Sequence, residues 1–180
     1  MKKFELTSET KINIFGKKLF RIKALISFGD VEAGETGGWV EKEGNVNQSG
    51  DAWVYGDAMV SGDAMVSGDA RVYGNAMVSG DAMVYGNAMV SGDARVYGDA
   101  MVSGDARVYG DADYTTIHGF GTQFRTTTFF RCKDKKVRVA CGCFFGTIPE
   151  FREQVKNTRK GKIAEEYLMI ADLMEKHFEK

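Results

Sequence analysis

Apolar and polar positions follow three different rhythms along this chain. Between Gly50 and Asp113 the rhythm is six residues long and nearly free of error: Val, then Ser or Tyr, Gly, Asp or Asn, Ala, and a long side chain. Before it, Phe4-Glu5-Leu6, Ile12-Asn13-Ile14-Phe15 and the run Leu19 to Leu25 alternate with period two, which predicts strands joined by a turn at Gly16-Lys17-Lys18. After it, Gln123 to Cys132 and Lys136 to Cys141 are rich in aromatic and β-branched residues, predicting two strands around a turn at Lys133-Asp134-Lys135. From Pro149 onward, Phe151, Val155 and, past Gly161, Ile163, Tyr167, Ile170, Leu173 and Met174 recur at helical spacing and predict two helices. The chain thus divides into a small β cap (1–35), a hexad body (36–113) and a C-terminal module of a β-hairpin plus two helices (114–180).

The hexad has its own geometry. Ala and Val two positions apart on an extended segment share one face, so Ala52 through Ala112 and Val54 through Val108 are expected to point inward. Gly followed by Asp or Asn is corner chemistry, since Gly accepts positive φ and Asx side chains bond nearby backbone. Strands that turn every six residues are too short for ordinary hairpins but can wind into a parallel β-helix. Gly44-Asn45-Val46 and Gly38-Trp39-Val40 carry a degenerate form of the period upstream, so the body begins near Gly37. Its open ends need covering, which is the role expected of residues 1–35.

The repeat resembles the hexapeptide-repeat family, whose members form a left-handed β-helix of triangular section with three hexads per coil. The fold class implied is mainly β. About thirteen hexads give a little over four coils, a prism roughly 20 Å long at ~4.8 Å per coil. The same fold hosts acyltransferases, carbonic anhydrases and plain structural bodies, so activity has to be read from sites.

In that family's geometry, residues eighteen apart stack. One face carries Trp53, Arg71, Met89 and Arg107 beside Tyr55, Tyr73, Ser91 and Tyr109. Of these, Trp53, Tyr55, Arg71, Tyr73, Arg107 and Tyr109 are candidate partner-binding residues. The second face carries Met59, Met77 and Arg95 beside Ser61, Ser79 and Tyr97. The third carries an unbroken column, Met65, Met83 and Met101, beside Ser67, Tyr85 and Ser103. An exposed apolar stripe usually marks contact. Either the C-terminal helices fold back on it or copies of the chain associate through Met65, Met83, Met101, Tyr85, Met59 and Met77. Hexapeptide-repeat proteins are commonly trimers, so the resemblance implies a homotrimer.

Charge adds a little. The net charge is −1, distributed as +2 over residues 1–35, −8 over 36–113 and +5 over 114–180. No global field points to nucleic acid, and no apolar run approaches the ~18 residues of a membrane span. The opening MKKFELTSET lacks the apolar core of a signal peptide. The corner acids, among them the stacked Asp63, Asp81 and Asp99, are read either as cation-binding or phosphate-mimicking, or as acceptors for turn amides. The basic hairpin Arg131, Lys133, Lys135, Lys136 and Arg138 is a candidate anion or acidic-partner site, or simply a solvated turn.

Candidate chemistry is sparse. The repeat acyltransferases resemble one another in needing a catalytic His, yet residues 50–113 contain none, and only His118 and His177 exist in the chain. His118 is therefore the catalytic candidate for an acyltransferase alternative, while the leading expectation is a non-catalytic chain with no cofactor. Cys132, Cys141, Cys143 and His118 are a candidate zinc set, although Cys141-Gly142-Cys143 is not the usual Cys-x₂-Cys spacing. Their alternative is three free thiols, an odd count that suits a reducing cytoplasm.

Thr36-Gly37-Gly38-Trp39-Val40-Glu41, and Cys141 through Thr147 followed by Phe151, are similar to segments of small repeat proteins encoded by bacteriophages and prophages. That resemblance implies an accessory phage protein acting in the cytoplasm of a bacterial host, where it would bind or sequester a host defence protein or a small signalling ligand.

Overall fold

The structure, a computed structural model, describes residues 2–179. Strands β1 (Phe4–Ile12) and β2 (Lys18–Ala24) form an antiparallel hairpin, and β3 (Thr36–Val40) lies against β2. Ten two-residue strands follow: β4 (Trp53–Val54), β5 (Met59–Val60), β6 (Met65–Val66), β7 (Arg71–Val72), β8 (Met77–Val78), β9 (Met83–Val84), β10 (Met89–Val90), β11 (Arg95–Val96), β12 (Met101–Val102) and β13 (Arg107–Val108). The chain ends in β14 (Tyr114–Phe120), β15 (Arg125–Arg131), β16 (Val137–Cys141), β17 (Phe144–Thr147), α1 (Ile148–Thr158) and α2 (Gly161–Phe178).

The two-residue strands stack into three parallel faces, β4-β7-β10-β13, β5-β8-β11 and β6-β9-β12, to make a β-solenoid of about four coils. Trp53 pairs with Arg71, Met59 with Met77 and Met65 with Met83, so the register advances by eighteen residues per coil. Inward packing follows the side-chain pattern. Every hexad Ala from Ala52 to Ala106 and every Val from Val54 to Val108 is buried. Ala112 departs from the expectation: the period has ended, the chain turns through Asp111–Asp113, and Ala112 is exposed. The corners need glycine. Gly80 has φ +72°, and a Cβ there would stand 2.9 Å from Gly98 N in the coil beyond.

The first coil is irregular. Trp39 pairs with Met59 and Val46 bridges Val66, an advance of twenty. The two extra residues fall within Asn47-Gln48-Ser49-Gly50, and they dock the N-terminus. Gln48 Oε1 accepts from Lys3 N at 2.8 Å and Phe4 N at 3.3 Å. The hairpin β1–β2 then prolongs one solenoid face, giving the six-strand order β1-β2-β3-β5-β8-β11. This blocks an open edge, as a cap must. Lys3 is buried and donates from Nζ to Ala52 O at 2.8 Å and Gly50 O at 3.1 Å. Burial lowers its pKa to about 8. Two cations approach the Trp39 ring, Lys11 Nζ at 4.5 Å and the Arg21 guanidinium at 4.8 Å from its centroid.

At the far end, side chains satisfy the last coil. Arg95 N donates to Asp111 Oδ1 at 2.9 Å, and Arg95 O accepts from the Tyr114 hydroxyl. Met101 N donates to Thr128 Oγ1 at 3.0 Å, and Tyr109 N to Asp113 Oδ2 at 3.0 Å. The C-terminal sheet is larger than the expected hairpin: four antiparallel strands in the order β14-β15-β16-β17. β15 and the residue after it alternate across the sheet. Phe130 and Cys132 join the solenoid core with Ala140, whereas Phe129 faces Phe151, Val155, Tyr167 and Ile170 of the two helices. α1 starts one residue before Pro149 with a reciprocal cap, Glu150 N donating to Thr147 Oγ1 at 3.3 Å and Thr147 N to Glu150 Oε2 at 2.7 Å. No helix among the described residues is long and apolar enough to cross a membrane.

Candidate binding surfaces

The face that carries Trp53 is covered at its N-terminal end. Trp53 has no exposed surface and is not a partner-binding residue of the folded chain. The N-terminal strand and the loop after β2 bring Phe4 and Phe28 edge-on against it, with ring centroids 5.7 and 5.4 Å away. Gly37 fits only because it lacks a side chain, since a Cβ would stand 2.6 Å from Trp53 Cζ2. The same loop engages two further candidates: the Tyr55 hydroxyl donates to Asp30 Oδ1 at 3.0 Å, and Arg71 Nη2 lies 2.9 Å from that oxygen. Burial, together with Asp30, pushes the Tyr55 hydroxyl above its usual range. Arg107 donates from Nη1 to Asn87 O at 2.9 Å. Tyr73 is half-buried, and Tyr109 is exposed.

The Met column is open where the C-terminal module does not reach. Met65 and Met83 are exposed, at 42 % and 39 %. Met101 is half-buried, packs against the core and lies under β15. The helices do not fold back on the column, because they are held on the other side of the C-terminal sheet by Phe129, Val139 and their neighbours. Tyr85, Met59 and Met77 are half-buried.

Beside this column lies a groove of about 610 Å³ that sequence reasoning missed. Ile14 and Phe15 overhang it, and Met77, Ser79 and Tyr97 line it. Ile14 and Phe15 were expected to be strand residues but occupy the β1–β2 turn. Buried Asn13 builds that turn, its Oδ1 accepting from Phe15 N at 3.0 Å and Lys17 N at 2.9 Å. Both apolar side chains are therefore presented to solvent, at 70 % and 61 % exposure. The available signal was two consecutive apolar residues immediately before Gly16-Lys17-Lys18.

The other candidates do not converge. Arg138 is on the solenoid side of its sheet opposite Phe130, and its Nη2 donates to Asp134 at 2.7 Å. Arg131 is on the helix side, where it lies 3.5 Å from Asp113 and donates to Phe178 O at 2.7 Å. Lys133, Lys135 and Lys136 are exposed. Cys132 faces the solenoid core, where burial pushes its thiol up to about 11. Cys141 packs toward the helices and accepts from Thr127 Oγ1 at 3.1 Å, while Cys143 is exposed. His118 Nδ1 lies 3.0 Å from Thr126 Oγ1 and 4.0 Å from Asp99 Oδ2, on an exposed stretch of β14. The thiols and His118 thus do not form a ligand set, and no group of metal-binding side chains occurs among the described residues. Of the stacked acids, Asp63 pairs with Lys42 and Asp99 accepts from Thr126. Other corner carboxylates accept from the corner of the preceding coil, as Asp93 does from Asn75 and Asp105 from Asn87.

With this geometry in place, comparison with known proteins adds one fact. The family model of the YdcK beta solenoid repeat matches residues 52–68, 58–74, 70–85, 82–98 and 94–110. The chain is a β-solenoid repeat protein. Each match spans close to one coil and begins a whole number of hexads after the last. Together they cover the regular part of the solenoid and stop short of the N-terminal hairpin and the C-terminal sheet. No curated protein matches the chain.

Proposed function

We propose that this β-solenoid is a non-catalytic binding scaffold that associates with copies of itself, in a trimer, through the flank formed by Ile14, Phe15, Tyr97, Met65 and Met83. The observation that carries this reading is the exposure of these side chains around one groove and the adjoining face. Monomeric proteins seldom leave contiguous apolar surface larger than a few hundred Å² uncovered. The regular coils support a scaffold over an enzyme, since no inserted loop interrupts residues 53–108. The partner beyond itself is a host protein or small ligand in a bacterial cytoplasm. The phage-like segments at residues 36–41 and 141–147 support that partner, and the three free thiols support that compartment.

Native mass spectrometry and light scattering across micromolar concentrations test the assembly. The expected result is a trimer that dissociates in Phe15→Asp and in the Met65→Asp/Met83→Asp double variant, with unchanged circular dichroism. A wild-type chain that stays monomeric throughout would refute it.

A further inference from the structure

The C-terminal module contains a cleft of about 210 Å³ that no role above uses. It opens where the β14–β15 turn, the β16–β17 turn and the α1–α2 connection meet. Arg125 and Arg159 both border it, and no Asp or Glu does. Neither arginine has a carboxylate partner among the described residues, whereas Arg71, Arg131, Arg138 and Arg152 each meet one.

The cleft is shaped to admit these groups. A Cβ on Gly142 would stand 2.5 Å from Arg125 Nη1, and a Cβ on Gly121 would stand 2.5 Å from Tyr167 Oη. The Tyr167 hydroxyl donates to Phe120 O at 3.1 Å. Burial and the neighbouring Cys141 push its pKa up, while Arg159 and Arg125 pull it down. α2 begins two residues after Arg159. Its N-cap is Lys160, which makes no side-chain cap, and its first turn contains no acidic residue. The partial positive charge of that helix end therefore has no internal counter-charge.

We propose that this cleft binds a phosphate group, free or carried by a small molecule, with Arg125 and Arg159 gripping its oxygens from two sides. One guanidinium fork satisfies both oxygens of a planar carboxylate. Two forks on one centre suit a group with three terminal oxygens and up to two charges. Phe120 and Phe144 form apolar walls beside the cations and can cover a carbon skeleton attached to the phosphate.

The site is on the helix side of the C-terminal sheet, away from the solenoid flank, so it stands or falls independently of self-association. Isothermal titration of the full chain with inorganic phosphate, glucose 6-phosphate and adenosine monophosphate tests it, with acetate and citrate as carboxylate controls and the oligomeric state measured on the same samples. Expected is binding of at least one phosphate probe that weakens with added salt. Affinity should fall about tenfold or more in Arg125→Gln and in Arg159→Gln and stay unchanged in Arg138→Gln. Tighter binding of an organic phosphate than of inorganic phosphate identifies a phosphorylated metabolite, and the reverse identifies the free anion. Arg125→Lys and Arg159→Lys, which keep charge but lose the fork, should recover only part of the affinity. The proposal is overturned by absence of heat with all three phosphate probes, by tighter binding of citrate, or by full affinity in both glutamine variants.

Discussion

Trp53 occupies an outward position of its hexad, the one that holds Arg71 a coil later, yet it is fully buried. Replacing it with Ala removes the largest side chain in the core beneath the N-terminal hairpin. Truncation of a buried Trp costs about 3–5 kcal/mol, a range that includes the two edge-on contacts with Phe4 and Phe28, each worth about 0.5–1.5 kcal/mol. Loss should be local first, because each coil of a solenoid leans mainly on its neighbours. Urea unfolding reads the two levels separately. The remaining Trp39 sits in β3 and reports the N-terminal hairpin by fluorescence, while far-ultraviolet circular dichroism reports the coils. With a slope near 2 kcal/mol per molar urea, the fluorescence midpoint should fall by roughly 2 M. The dichroism midpoint should fall by less. Trp53→Phe, which keeps an aromatic ring in place, should fall between wild type and Trp53→Ala. If Trp53→Ala shifted the fluorescence transition by under about 1 kcal/mol, Trp53 would be a surface residue after all and the account of the N-terminal core would be wrong.

Two further outcomes follow from buried or crowded positions. The pKa of Lys3 in the fold, about 8, lies below its ordinary 10.5, so deprotonation favours the folded chain. Stability relative to Lys3→Met should therefore rise with pH between about 8 and 10.5, by at most roughly 3 kcal/mol, and be flat below that window; chemical denaturation across pH reads it, and a constant difference would contradict it. Gly80→Ala places a Cβ at positive φ against the backbone of Gly98 and should destabilise the coils by about 1–3 kcal/mol; a thermal melt matching wild type would show that the corners can relax.

The solenoid was readable from sequence because its core is made of contacts that repeat. Ala52 and Val54 specify the same inward geometry as Ala106 and Val108, and the Gly-Asx corners confirm it at every step. What failed were contacts that occur once. Nothing in the hexads announces that Phe28 and Asp30 will cross over Trp53, Tyr55 and Arg71. β14 escaped notice because Gly119 and a shift of register between Ile117 and Phe120 break its alternation. β17 is four residues long and contains Gly146. The candidate surfaces were legible only in part. The exposure of Met65 and Met83 agrees with their hexad position, but the groove depends on an Asn13 side chain that redirects Ile14 and Phe15. Arg125 and Arg159 are brought together only by the packing of the helices on the sheet.

The constant advance of eighteen residues has a consequence for how such a chain can change length. A duplication or deletion of one whole coil leaves the three columns aligned and carries the C-terminal module straight along the axis. A change of a single hexad rotates that module by one face. Ends with identical chemistry would then display the phosphate cleft over a different side of the prism. The repeat thus works as an indexing device, in which coil number sets the separation of two surfaces and hexad number sets the direction each one faces.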